Sequence, residues 1–385
     1  MPRFEPFPGV RYDLAAVAAA DVTAPPYDVL DADDRAALVA RHPHNVVVVD
    51  LPVDGDDPYG DADRTFRRWL DEGVLVRDEP AFYVYRMSFT DDAGVAHHTT
   101  GVVGALELSR PGEGGILPHE QTTKKAKTDR LDLLRATRAN LSAVWGLSPA
   151  AGLSSLLESD DAPTASWTDD DGVDHAYWVV DDPARVDAIA AAIAAAPVLI
   201  ADGHHRYETA RVYAEEIGGE GEHRYVLMLL VALEDPGLTV FPTHRLVSGL
   251  ADDPAKQEAL AAALRAHFTV AELASADELA PPEGETVRIG YVDGHVRRPF
   301  MLTLSDDAAV AAALPGASDA YRHLDTAVLE ALVLKGALGL SEDDISHFRG
   351  LGYARSFAEA RALVDDGTYD AAFYMAPTPV TRIAV

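Results

Sequence analysis

The 385-residue chain contains no cysteine. Disulfides, cysteine–zinc centres and thiol nucleophiles are thereby excluded. Lysine is almost absent too: there are five, at Lys124, Lys125, Lys127, Lys256 and Lys335. Positive charge of any kind is scarce, with 32 Lys and Arg against 63 Asp and Glu and a formal net charge of −31. The longest apolar run, AIAAAIAAAPVLIA (188–201), is too short to span a bilayer and is broken by Pro197. The opening residues, MPRFEPFPGVRY, lack the apolar h-region of a signal peptide.

A large charge of one sign keeps a protein soluble in strong salt and makes it repel itself in dilute buffer. Near molar salt the Debye length falls to roughly 3 Å and the repulsion is screened. An acidic, lysine-poor chain rich in Ala and Asp therefore reads as a halophilic cytoplasmic protein. Its acidity is an adaptation to solvent and says little about a partner. At 48% hydrophobic residues it has the material for a folded core, and its length suggests two or three lobes.

Against this background one stretch stands out: ILPHEQTTKKAKTDRLDLLRATRAN (116–140), where three of the five lysines fall within four positions. Around it, strand and helix signals interleave. DADDRAALVARHP reads as a helix, NVVVVDLP (45–52) as a buried strand, and RTFRRWLDEG as a helix ending at Gly73. AFYVYRMSF (81–89) and HHTTGVVGALEL (97–108) alternate like an antiparallel pair. After the lysines, TDRLDLLRATRANL has helical spacing with Thr128 or Asp129 as N-cap. VWGLS, DGVDHAYWVV and YVLMLLVALE (225–234) read as strands, and DDPARVDAIAAAIAAA as a helix. From about residue 250 a helix, the strands TVRIGYV and RRPFMLTL, and an alanine-rich tail follow. The expected fold class is α/β or α+β with mixed sheets. The expected division is a core over 1–250 carrying a nucleotide or phosphate site and a C-terminal α/β subdomain over 251–385.

Four constellations carry candidate chemistry. In LIADGHHRYETA (199–210) a strand ends at Asp202, Gly203 permits a sharp turn, and His204, His205 and Arg206 open a helix. Free N–H groups and the positive end of the helix dipole lie there, and Arg206 suits bidentate contact with phosphate. Neither a Walker A motif nor GxGxxG occurs. The bland alternative is an ordinary cap with solvated histidines. In the lysine stretch, His119 and Glu120 precede Lys124, Lys125 and Lys127, and Asp129 and Arg130 follow. A Thr-rich basic loop suits closure over phosphates. Glu120 can take a proton from a hydroxyl or hold magnesium. In FPTHRLV (241–247), His244 and Arg245 form a second His–Arg pair, as consistent with a surface turn as with a cleft. In APPYDVL (24–30), Tyr27 and Asp28 sit in a proline-shaped turn, a weak signal alone.

Together FEPFPGVRY, APPYDVL, LPHEQTTKKAKTDRLDLLRATRANLSAVWGL, ADGHHRYETA and FPTHRL resemble the signature blocks of the domain-of-unknown-function 1015 family, in order from Phe4 to about Tyr374. The resemblance also implies a Pro-Lys-Ser-Thr-Tyr segment beyond PVTRIAV, so the chain is expected to be truncated or to have lost that element. The turn DGHHRYETA is similar, over about nine residues, to the Asp-Gly-x-His-Arg turns of the ParB/sulfiredoxin-like superfamily. That group includes sulfiredoxin, CTP-binding partition proteins and free serine kinases. The likeness implies a ParB/sulfiredoxin-like core element and ATP, ADP or CTP bound with Mg²⁺.

The expected function is therefore a nucleotide-dependent phosphotransferase acting on a small hydroxyl metabolite such as free L-serine. Gly203, His204, His205, Arg206, His119, Arg130, His244 and Arg245 would bind the nucleotide. Lys124 and Lys127 would neutralise charge on the transferred group, and Glu120 or Asp202 would be the base. Sulfiredoxin chemistry is disfavoured because its cysteine is absent. The alternative is a CTP- or ATP-gated regulatory or partition-type protein. A nucleic-acid partner is disfavoured because no basic, aromatic-interleaved stretch exists outside 124–138. Metal-dependent hydrolysis through His119, His204, His205 and Asp202 has no HExxH or HxxxH pattern behind it.

Overall fold

The computed structural model describes residues 1–53, 55–90, 94–110, 113–117, 127–238, 243–282, 284, 286–346, 349–354 and 356–376. Packing divides the chain into two units, Met1–Leu238 and Thr239–Val385.

The first unit is built on a nine-stranded mixed sheet. Its strands are β1 (Phe4–Glu5), β4 (Phe82–Thr90), β5 (Ala96–Glu107), β6 (Ile116–Leu117), β7 (Val144–Ser148), β8 (Ala165–Thr168), β9 (Asp174–Val180), β10 (Val198–Asp202) and β11 (Tyr225–Ala232). Their order is β6-β10-β7-β11-β5-β4-β9-β8, with β1 added on β5. The β6–β10 and β7–β11 pairs are parallel and the others antiparallel. A separate antiparallel pair joins β2 (Val10–Tyr12) to β3 (Leu75–Arg77). The helices are α1 (Ala19–Val22), α2 (Ala32–Arg41), α3 (Val47–Asp50), α4 (Pro58–Asp71), α5 (Lys127–Thr137), α6 (Leu153–Leu157), α7 (Pro183–Ala194) and α8 (His204–Ile217).

Alternation in β4 and β5 sends Phe82, Val84, Val102 and Leu106 to one face, where they meet Leu153, Leu157, Ile189 and Ile193 of α6 and α7 in the main core. The face carrying Tyr83, Tyr85, Val103 and Ala105 is turned the other way. A second cluster, including Val49, Phe66, Trp69 and Leu133, packs α3, α4 and α5 together. α5 also packs along α8.

The second unit has a six-stranded antiparallel sheet of β12 (His244–Val247), β13 (Phe268–Glu272), β14 (Arg288–Asp293), β15 (Phe300–Leu304), β16 (Leu351–Ala354) and β17 (Ala371–Tyr374). Its order is β13-β15-β14-β17-β12-β16. Helix α9 (Pro254–His267) contributes Leu260 and Leu264 to the core around Ile289, Leu302, Val333 and Phe373.

Three local expectations are corrected. NVVVVDLP is not a strand: Val47–Asp50 form the helical turn α3. The Asn45 amide donates to the Asp21 and Thr23 carbonyls, and its oxygen accepts from the Val47 N–H, so a β-branched run is folded into a turn by one side chain. Helix α5 begins at Lys127, before the Thr128 or Asp129 cap. The alanine-rich tail contains β17, which lies inside the second sheet between β14 and β12. Among the described residues, no helix is long and apolar enough to cross a membrane.

Candidate anion-binding site

Strand β10 is apolar and buried until Asp202, which emerges with its side chain 60% exposed. Asp202 pairs in register with Trp145 across a bulge in the β7–β10 ladder. The next residue, Gly203, has φ 85° and ψ 27° and carries no side-chain cap. A Cβ there would come within 3.0 Å of the Arg206 guanidine group, so both the left-handed backbone and the close approach call for glycine. Helix α8 starts at His204, so its first N–H groups and its dipole point past this turn.

The Arg206 guanidinium folds back over Gly203. Its Nη2 lies 2.6 Å from Asp202 Oδ2, and its Nη1 donates to the carbonyl of Ala143, just before β7. His204 is buried. Among the described residues, the Nε2 of His205 and the Nε1 of Trp145 are buried without hydrogen-bond partners. One turn further on, the Tyr207 hydroxyl accepts from the Ser109 N–H and donates to the Ser109 carbonyl, fixing the start of α8 against the chain beyond β5.

Arg130, on the first turns of α5, is only 9% exposed. Its Nη1 donates to the carbonyl and Oδ1 of Asp50 at 2.7 and 3.2 Å. Its Nε donates to Asp129 Oδ2 at 3.0 Å. Its guanidinium lies 4.0 Å from the centroid of the Tyr27 ring. Its Nη2 is buried with no hydrogen-bond partner among the described residues. Asp50 also accepts from the Ser142 hydroxyl at 3.0 Å, next to the Ala143 carbonyl that Arg206 holds. The Tyr59 hydroxyl donates to Asp129, and that bond pushes its phenol up to about 12.

Arg130 and Arg206 act on the same two acids. Burial raises the Asp50 carboxyl, and Arg130, the Ser142 hydroxyl and Arg206 oppose that rise. Burial likewise raises the Tyr27 phenol against Arg130 and then Arg206. The turn after β10, the start of α5, the end of α3 and the proline-shaped turn at Tyr27 thus form one electrostatic unit. Two guanidinium groups, a helix N-terminus and buried donors without partners among the described residues meet three carboxylates, Asp50, Asp129 and Asp202. Arginine forks and free helix N–H groups are donors from which anion sites are commonly built.

Asp202, Gly203, His204, His205, Arg206 and Arg130 are therefore close together in the first unit. His119, Glu120 and Lys124 lie outside the described residues, as does Lys125; Lys127 is the first residue of α5. The described flanks of that segment adjoin the site. Leu117 pairs in parallel register with Leu199, three residues before Asp202, and Arg130 follows on α5. His244 and Arg245 belong to β12 in the second unit. The His244 ring is 4% exposed, its Nδ1 accepts from the Met375 N–H at 3.1 Å, and burial takes its pKa down to about 4. Arg245 lies over the Tyr353 ring at 4.6 Å, with its pKa lowered by burial. Both are packed into their own sheet.

Sequence reasoning missed Asp50 and Ser142. Nothing distinguishes one aspartate among 63 acidic residues. APPYDVL did mark Tyr27. Among the described residues, no group of three or more His, Asp or Glu is arranged to hold a metal ion.

Fold and site together define a mixed α/β protein whose first unit brings two arginines and three aspartates together at a strand–glycine–helix turn. The chain belongs to the DUF1015 family: the family model, described as "Protein of unknown function (DUF1015)", matches residues 4–327. Among solved structures it is similar to a conserved hypothetical protein from Pyrococcus furiosus, at 16% identity over 70% of this chain and 80% of that one, with a TM-score of 0.34. None of the curated proteins compared with the chain matches it.

Proposed function

We propose that the first unit is a nucleotide-dependent phosphotransferase acting on a small hydroxyl metabolite, with free L-serine the first acceptor to try. The observation that carries this is the buried, unpartnered Nη2 of Arg130, stacked on Tyr27 and sharing Asp50 with Arg206 at the start of α8. A phosphate oxygen completes that donor set. The Asp202–Arg206 turn is also similar to the nucleotide-binding turn of the ParB/sulfiredoxin-like superfamily, which favours ATP, ADP or CTP as the anion.

In this reading Arg130, Arg206 and the α8 N–H groups hold the nucleotide phosphates, and Lys124 and Lys127, the latter the first residue of α5, add their charge. Mg²⁺, which commonly takes one or two carboxylates plus phosphate oxygens and water, needs no cluster of three protein ligands. When bound, it screens phosphate charge, with Asp202 the exposed carboxylate nearest the turn. The acceptor oxygen forms a bond to the terminal phosphorus as the bridging P–O bond breaks. The hydroxyl proton passes to Glu120 or Asp202, and the shortened nucleotide leaves with the bonding pair.

The test is thermal shift in molar KCl with ATP, ADP, CTP and GTP plus Mg²⁺, followed by transfer of labelled terminal phosphate to a panel of hydroxyl compounds. A nucleotide-specific shift and a labelled product are expected. Absence of both sinks the reading. A nucleotide-gated regulator is the second reading, and one observation favours it. Arg206 already holds Asp202 and Ala143, so an arriving anion competes for the bonds that tie the start of α8 to the end of β10 and to the start of β7. Nucleotide binding without transfer to any acceptor puts this second reading first.

A further inference from the structure

The first unit has a half-open cavity of about 890 Å³ elsewhere than at the β10–α8 turn. Its floor is the sheet face turned away from the main core. Three registers cross it: Leu227 opposite Ala105, Val103 opposite Tyr83, and Tyr85 opposite Tyr177. Its roof comes from α4, α5 and α8 through Phe66, Trp69, Leu134 and Tyr213. One side is the segment FEPFPGVRY, whose residues 5–12 all line the space. That segment bears no part of the anion site. Gly9 lies so close to Tyr83 that a Cβ would come within 2.2 Å of the phenol oxygen, so the segment is pressed onto the sheet at that point.

The wall chemistry is not uniform. The floor and roof are aromatic and apolar. The charged residues that line the cavity are Arg11, Arg67, Arg77 and Arg138 against Glu5 and Glu222, an excess of arginine in a chain with a net charge of −31. Arg11 is bound by Asp78 and Arg67 by Asp63. Arg77 and Arg138 have no ion pair among the described residues. Arg138 sits just beyond α5 with φ 51°, a left-handed conformation that a side-chain-bearing residue seldom adopts. On the same lining, the Nε2 of His223 is buried and unpartnered.

We propose that this cavity is a binding site for a small aromatic carboxylic acid, independent of the phosphotransferase reading. The ring is held between the tyrosine floor and the roof. The carboxylate meets Arg138 and Arg77 at the mouth, and the buried His223 nitrogen takes a polar group on the ring. The volume falls within the usual range for small-molecule sites, and mostly apolar walls with a few convergent polar groups are their common composition.

The test uses benzoate, phenylacetate and indole-3-acetate as probes, with benzyl alcohol as the neutral control, on the full chain in molar KCl. Binding is read by tryptophan fluorescence, Trp69 being on the wall, and by isothermal titration. Saturable binding of at least one acid is expected, with benzyl alcohol at least tenfold weaker. R138N, in which Asn tolerates the left-handed backbone, should lower acid affinity about tenfold and leave the alcohol unchanged. A105F should fill the floor and abolish binding of both, with the thermal transition retained. Should A105F fail to fold, R138N and R77Q still decide. The proposal is overturned if no acid binds saturably at millimolar concentration, if acid and alcohol bind alike, or if neither arginine variant changes the acid's affinity.

Discussion

The guanidinium of Arg130 lies 4.0 Å from the ring centroid of Tyr27 and is held by Asp50, while its Nη2 has no hydrogen-bond partner among the described residues. This joins two stretches, APPYDVL and TDRLDLL, that are far apart in sequence. Arg is required there: only a planar fork can stack on a ring, bind a carboxylate and keep a further donor for a ligand. Arg130→Lys should keep the charge, lose the stack, and weaken nucleotide binding by about 1.5–3 kcal/mol, the scale of a charge-assisted hydrogen bond. Titration of the best nucleotide from the thermal screen measures this. Unchanged affinity would remove Arg130 from the site.

Asp50 is the most buried of the three carboxylates that Arg130 and Arg206 hold, so Asp50→Asn, which frees part of Arg130, should tighten nucleotide binding. The pH dependence has a definite sign. Burial raises the folded carboxyl above its ordinary range, so its stabilising contribution is complete at low pH and is lost as pH rises through the folded value. Asn does not titrate. The stability of Asp50→Asn relative to the parent should therefore improve as pH is raised from acidic to neutral. Denaturant midpoints of both proteins at matched salt provide the comparison. A difference that is flat with pH contradicts the assignment.

Arg206 has two duties in this structure, and its variants should separate them. Arg206→Ala leaves the Ala143 carbonyl without its donor and Asp202 without its ion pair. A stability loss of about 1–3 kcal/mol is expected, together with weaker nucleotide binding. Arg206→Lys can restore the pair to Asp202 but cannot reach both partners as a fork. It should recover part of the stability and little of the affinity. If Lys recovers both equally, charge alone matters at this position.

How much of this was legible in the sequence depends on the kind of signal. Periodicity gave β4, β5, β11 and α7, because alternation and helical spacing are local properties. The strand–Asp–Gly–helix turn was readable because Gly203 and the His-His-Arg run mark it. The run at 45–52 misled because four valines read as a strand. The side chain that overrides them, Asn45, works through carbonyls more than 20 residues away. Asp50 and Ser142 were invisible for a related reason. Their role comes from where α3 and β7 bring them, and an aspartate in so acidic a chain carries no local mark. The His-Arg spelling at 244–245 carried no sign that β12 would bury His244 within the second unit's own sheet.

His244 offers a pH test of the second unit. Burial lowers its pKa from 6.5 to about 4, so the fold holds it neutral. Its contribution to stability is complete above pH 6.5 and is lost as pH falls toward 4, because the unfolded chain takes up the proton first. The shift corresponds to about 3 kcal/mol over that interval. His244→Asn keeps an acceptor for the Met375 N–H but does not titrate. Its stability deficit relative to the parent should shrink by about that amount between pH 7 and pH 4. Urea unfolding followed by tryptophan fluorescence measures the two slopes, and parallel slopes would mean that His244 is protonated in the fold.

The last prediction concerns the reaction. A kinase needs positive charge at the transferred group and a carboxylate at the acceptor hydroxyl. Arg130 and Arg206 provide the first within the described residues. For the second, Glu120 lies four residues before Lys124 in sequence, while Asp202 is tied to Arg206 at 2.6 Å and so is held as a partner rather than left as a base. Glu120→Gln keeps size and hydrogen bonding but accepts no proton. Loss of general-base help typically costs about 10²–10⁴-fold in rate. Nucleotide affinity should stay near that of the parent, because the phosphates rest on other groups. The readout is transfer of labelled terminal phosphate at saturating nucleotide and acceptor, serine first, in molar KCl. If Glu120→Gln transfers at the parent rate while Asp202→Asn does not, the base is Asp202, and Arg206 must release it before each turnover. If both variants transfer normally, no carboxylate at this turn takes the proton, and the phosphotransfer reading loses its mechanism.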